Sequence, residues 1–271
     1  MKRTKKARSD TPSVTLPAPN PAMRHFTEYL AAGFNRSSYA LRNSFFTDVI
    51  AAIDSTYELI RNAEHTLPGF ARIFVVCHQA LYSSASSICR GVPHDAAASS
   101  RRALEAARVA LAVRKNPKNL EEWVSFAERM GRWQARQEGI KPPAWNLKFD
   151  GLAGDRMSQQ ISTITGVLSD YKVHFTPEFL SEVDFQVSSE DQVLYSDYLT
   201  DDEQAQAQGF KMLAAVHFLI LRVLARVALQ ELAISHQFEA SLRRIVTAAR
   251  ALYVRYPFEE RPEFESVLKQ E

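Results

Sequence analysis

Glycine is scarce in this sequence, at nine residues in 271. A β-rich chain of that length needs glycine for its tight turns, so the shortage favours long helices. Cysteine is scarcer still. Cys77 and Cys89 stand twelve positions apart on one predicted helix, about 18 Å along its axis and far beyond disulfide reach. Both are therefore expected as free thiols in a reducing compartment, with no thiolate metal site. Long apolar runs are lacking as well. The longest, MLAAVHFLIL from Met212 to Leu221, is about half a membrane span and is followed by Arg222 and Arg226, so it reads as a core helix. Missing too are a P-loop, a dinucleotide-binding glycine fingerprint, a His-Glu-x-x-His zinc motif and a nucleophile elbow. No cofactor, metal ion or membrane is expected.

The hydrophobic content, 46%, is enough for a sizeable core. The formal charge of +2 is unevenly laid out, with Lys2, Arg3, Lys5, Lys6 and Arg8 standing against Asp10 alone in residues 1–22. With Pro12, Pro17, Pro19 and Pro21, that stretch reads as a flexible basic arm ahead of a single helical-bundle domain over 23–271. No apolar segment follows the basic residues, so the start is not a secretory signal and a cytoplasmic protein is expected. The five cations are a candidate for weak, salt-sensitive contact with nucleic acid, without sequence readout. A solubilising tail is the plainer reading, and self-association of the chain is left open.

Apolar residues at steps of three and four mark the helices. Phe46, Val49, Ile50, Ile53, Tyr57 and Ile60 line one face of a first helix, ended by Pro68-Gly69. A second helix is predicted over 71–90, with the small residues of SSASS (Ser83–Ser87) suited to close helix packing. Gly91 and Pro93 make a stop and a restart. The third helix, 94–115, carries Ala97, Ser100, Leu104, Ala107 and Leu111 on its core face. A fourth over 120–137 is followed by a long irregular connection, 139–155, and a fifth over 156–170. Residues 185–199 have the composition of a short hairpin, and two long helices, 201–235 and 237–256, complete the pattern. The fold class expected is all-α: a multi-helix bundle with one irregular insertion and a short β-hairpin at most. Trp123, Trp133, Tyr82 and Tyr57 sit at helical spacings and read as core.

Several polar groups invite a functional reading. Arg101, Glu105 and Arg108 form a stripe at i, i+4 and i+7 beside the core face of the third helix. On an open surface such a pair contributes a few tenths of a kcal/mol, roughly, and means little. The alanines around it favour a structural ion pair inside the bundle, near Tyr171 and His174. His94-Asp95 resembles the metal-binding dipeptide of phosphohydrolases, but Asp95 in a helix's first turn is accounted for by the helix dipole. Nine acidic residues and no basic one lie between Glu178 and Glu203. Their last three, after Thr200, fit a capping box better than a metal cluster.

The segments RGVPHDAAASSRRALEAARVALAVRKNP and YKVHFTPEF resemble a broad group of uncharacterised bacterial all-helical proteins with a HEPN-like bundle (higher eukaryotes and prokaryotes nucleotide-binding). The resemblance spans residues 40–235 and rests on a glycine-containing break, an Arg-x-x-x-Glu helix and a later Tyr…His pair, here Gly91, Arg101, Glu105, Tyr171 and His174. It implies a helical bundle and a link to stress or mobile-element defence. HEPN ribonucleases pair an arginine, which steadies phosphate charge, with a histidine that follows after four to six intervening residues and moves the proton. Arg72 and His78 have that spacing, although Ile73 occupies a position where the motif usually has a polar residue. The leading expectation is a non-enzymatic helical binding or interaction module. The alternative is a metal-independent ribonuclease using Arg72 and His78, or Arg101, Glu105 and His174.

Overall fold

The computed structural model describes residues 24–62, 70–116, 118–119, 121–122, 125, 152, 154–170, 185–187, 194–196, 203–231, 236–256 and 263–264. Among them are seven helices: α1 (Arg24–Ala40), α2 (Ser44–Asn62), α3 (Phe70–Cys89), α4 (Pro93–Lys115), α5 (Arg156–Asp170), α6 (Glu203–Glu231) and α7 (His236–Arg255). One antiparallel hairpin joins β1 (Phe185–Val187) to β2 (Leu194–Ser196), with Gln186 opposite Tyr195. The expected all-α bundle is the fold observed, and the hairpin falls within 185–199. No described helix is long and apolar enough to cross a membrane.

The centre of the bundle is α6. Every residue from Met212 to Leu221 is buried, His217 included, and α2, α3, α4 and α7 all pack against this helix. A helix apolar on all sides must be surrounded, so the run MLAAVHFLIL sets its own position. Gly209 lets α3 come close: a Cβ there would meet Ile88 at 3.0 Å. On α2, Phe46 stacks on Phe210 of α6 with ring centroids 4.2 Å apart, and Phe45 meets Tyr256 just beyond α7 at 4.1 Å.

The α3–α4 junction follows the glycine–proline punctuation. Gly91 takes a left-handed φ of 78°, which a side chain would disfavour. Its N–H donates to the Ile88 carbonyl and that of Val92 to the Ser87 carbonyl, a Schellman closure of α3. Pro93 then opens α4, with Asp95 in its first turn. The two helices approach through small residues. The Ser84 hydroxyl contacts the Ala96 carbonyl and the Ser100 hydroxyl, each at 2.9 Å. All five expected core positions of α4, Ala97 to Leu111, are buried.

Three expectations need correction. A helix before residue 43 is not among the expectations, yet α1 is present; Phe26, Tyr29, Leu30 and Phe34 recur at helical steps of three and four, although Phe34 is 72% exposed and Tyr39 also faces out. Tyr82 is 39% exposed rather than core, and Tyr57 is half-buried. The third concerns Arg101 and Glu105, taken up below. The side chains of Trp123 and Trp133, most of 120–137 and 139–155, residues 1–22 and Thr200 lie outside the described residues.

Candidate functional site: a buried histidine cluster and two ion pairs

Helical geometry separates Arg72 from His78. Six positions along α3 amount to about 240° of rotation, so Arg72 is exposed while His78 turns inward, 9% exposed. The structure does not bring them together as an acid–base pair. His78 is instead walled by rings. Tyr57 of α2 stacks on it with centroids 4.1 Å apart and planes 17° from parallel, and Tyr82, one turn on, meets it edge-on at 4.3 Å. The buried Nε2 has no hydrogen-bond partner. Burial holds the ring below its ordinary pKa, and Asp54 on α2 opposes that shift.

Behind it lies a second histidine that the sequence reading passed over inside the apolar run. His217 is buried, and its Nε2 is 2.9 Å from Thr56 Oγ1. The Thr56 hydroxyl gives its single hydrogen to the Ala52 carbonyl, 3.0 Å away. Thr56 therefore accepts from His217, which fixes the neutral tautomer with the hydrogen on Nε2. Burial, and then the nearby His78, push the His217 pKa down to about 3. A histidine at an interior position of a surrounded helix was the signal available in the sequence.

Arg101 and Glu105 do pair, with Nε and Oε1 2.9 Å apart, but their side chains are 32% and 54% exposed. The pair lies at the bundle surface rather than inside it, because its stripe faces outward beside the α4–α5 seam. Arg101 also donates to Ser169 Oγ at 3.0 Å, and that hydroxyl donates to the Thr165 carbonyl at 2.8 Å. The arrangement ties α4 to the end of α5. Tyr171 and His174 lie outside the described residues, as do Lys2, Arg3, Lys5, Lys6 and Arg8.

A more buried ion pair joins α5 to α6. Arg226 Nη2 lies 2.7 Å from Asp155 Oδ2, with the Asp155 side chain almost fully enclosed. Asp155 Oδ1 also accepts the Ser158 backbone N–H at 3.0 Å, capping α5. Burial would raise this carboxyl, but the hydrogen bonds and charge of Arg226 and the backbone donors outweigh it and hold the pKa below the usual value. One turn earlier, Arg222 donates to Gln160 Oε1 at 3.3 Å.

The thiols are passive. Cys77 donates to the Ala103 carbonyl at 3.4 Å and burial pushes its pKa far up; Cys89, also buried, is pushed up to about 11. Neither supplies a thiolate near neutrality. Among the described residues, no group of three His, Cys, Asp or Glu side chains could hold a metal ion.

Fold and sites together define an all-α bundle whose central polar feature is a neutral, aromatic-walled histidine cluster. No protein-family model, curated protein or solved structure matches the chain.

Proposed function

We propose that this chain is a non-enzymatic helical binding or interaction module of the bacterial cytoplasm, built on a HEPN-like bundle. The observation that supports it best is the divergence of Arg72 and His78, one exposed and the other enclosed by Tyr57 and Tyr82. A ribonuclease needs both groups at one phosphate, and His78 already fills its ring contacts within the fold. The free thiols of Cys77 and Cys89 suit a reducing compartment. The bundle and resemblance to stress and defence proteins favour a role in which the surface is read by a partner.

A cleavage assay tests this reading. Labelled single-stranded RNA is incubated with a stoichiometric amount of the protein, without added metal, and resolved on a denaturing gel. Intact RNA is the expected result. Cleavage that disappears in either Arg72→Ala or His174→Ala would overturn the proposal in favour of the ribonuclease.

A further inference from the structure

His78 sits oddly for a purely structural residue. Phenylalanine would fill the same slot between Tyr57 and Tyr82 without a buried polar atom, whereas the imidazole leaves Nε2 without a partner. An orphaned buried nitrogen is costly and calls for a reason. His217 offers the contrast, since it is more deeply buried and hydrogen-bonded to Thr56. Of the two, only His78 borders a solvent-exposed side chain in its ring cluster, that of Tyr82.

The groups acting on His78 come from two other helices as well as its own. Asp54 and Tyr57 face it from α2, neutral His217 lies near it on α6, and Tyr82 follows on α3. α4 meets a different side of α3, through Cys77 and Ser84. A protonated imidazole carries two N–H donors. In the closed cluster the Nε2 donor would have no acceptor, although the positive ring would gain from the Tyr57 face. Asp54 favours the cation but has no hydrogen bond to it in the closed state. Relief requires the C-terminal half of α2 to shift, admitting water or the Asp54 carboxylate to Nε2.

We propose that the Tyr57–His78–Tyr82 cluster is an acid-operated latch, in which proton uptake by His78 loosens the C-terminal half of α2 from α3. The linkage has a definite sign. The neutral ring belongs to the closed state and the charged ring to the open one, so the latch holds above the ordinary histidine range and releases as pH falls below it.

The test follows the histidine ring and the helix together in the full chain. The His78 ring is titrated by NMR on histidine-labelled protein, while hydrogen exchange reports the amides of residues 57–62, corrected for intrinsic rates, between about pH 7.5 and pH 5. Wild-type protection in α2 should fall with the His78 titration, by about tenfold for each unit separating its closed-state pKa from its open-state value. Amides of α5 should show only the shallower loss that His217 brings to the whole fold. His78→Phe should remove the part of the α2 fall that tracks the His78 ring and leave that shallower loss, and an undiminished fall in that variant would overturn the latch. Asp54→Asn, which removes the charge favouring the cation, should move both transitions to lower pH. Unchanged or upward transitions in Asp54→Asn, or α2 protection that ignores the His78 titration, would also overturn it.

Discussion

Asp155 performs two tasks through one carboxylate: Oδ1 caps α5 at the Ser158 amide, and Oδ2 pairs with Arg226 of α6 at 2.7 Å. Cap and interhelical tie therefore stand or fall together. Asp155→Ala should cost about 2–4 kcal/mol, the lost cap adding to a half-buried guanidinium left without its partner. Asp155→Asn should recover part of the loss, because an amide oxygen still caps. Urea denaturation of both variants checks the order.

Acid should weaken the fold in two stages of opposite chemical origin. His217, held near 3 in the folded state, is neutral there but takes a proton in the unfolded chain below its ordinary value of 6.5. Its contribution is complete above that value and declines as pH falls, by several kcal/mol in all. Asp155, with a depressed pKa, contributes above the ordinary carboxylate value and loses that contribution at lower pH, through its folded-state pKa. Stability measured against pH should begin to fall from about pH 6.5 and steepen below about pH 4. A flat profile between those values would contradict the burial of His217.

Thr56 and His217 should behave as a unit. Thr56→Val leaves the His217 N–H buried without an acceptor, a loss of about 1–3 kcal/mol. Combining it with His217→Leu removes both polar groups and should recover much of that loss, together with the early part of the acid sensitivity. A double-mutant cycle by chemical denaturation measures the coupling.

Arg101→Met and Glu105→Leu should each cost less than about 1 kcal/mol, since the pair is partly exposed. Arg101 is expected to cost more than Glu105, because it also bonds Ser169. Losses of several kcal/mol in both single variants would return the pair to the interior.

Removal of residues 1–22 should shift the thermal midpoint by no more than about 2 °C, given their prolines and the lack of an apolar face. A drop of many degrees would show that the arm contributes to the domain.

Legibility in the sequence followed periodicity. The core faces of α2 and α4 and the all-round burial of α6 are written in apolar spacing, and Gly91-Pro93 is written in backbone chemistry. Periodicity does not say what covers a face. Phe26, Tyr29, Leu30 and Phe34 give α1 helical spacing, yet Phe34 and Tyr39 stay exposed, and whether Arg101 faces inward or outward depends on how α5 lies against α4. Spacing put Arg72 and His78 within reach of a motif but left their 240° rotation to the helix. The His78–His217 cluster joins residues 139 positions apart, and only the packing of α2, α3 and α6 brings it together.

The Gly91 turn has a kinetic consequence. It connects the two helices with the most extensive mutual packing, and Ser84 and Ser100, which bond across them, are separated by only sixteen positions. Closing so short a loop costs little chain entropy, whereas α6 must be recruited from more than a hundred residues downstream. The α3–α4 hairpin is therefore the expected nucleus, with α6 docking onto it late. Conservative substitutions in that hairpin, such as Leu104→Ala, should mainly slow folding; those at α6, such as Leu224→Ala, should mainly hasten unfolding. Stopped-flow chevrons would register the difference, and a reversed pattern would put the nucleus elsewhere. On the ribosome, the hairpin would be complete long before the helix that will fill the centre of the protein has been synthesised.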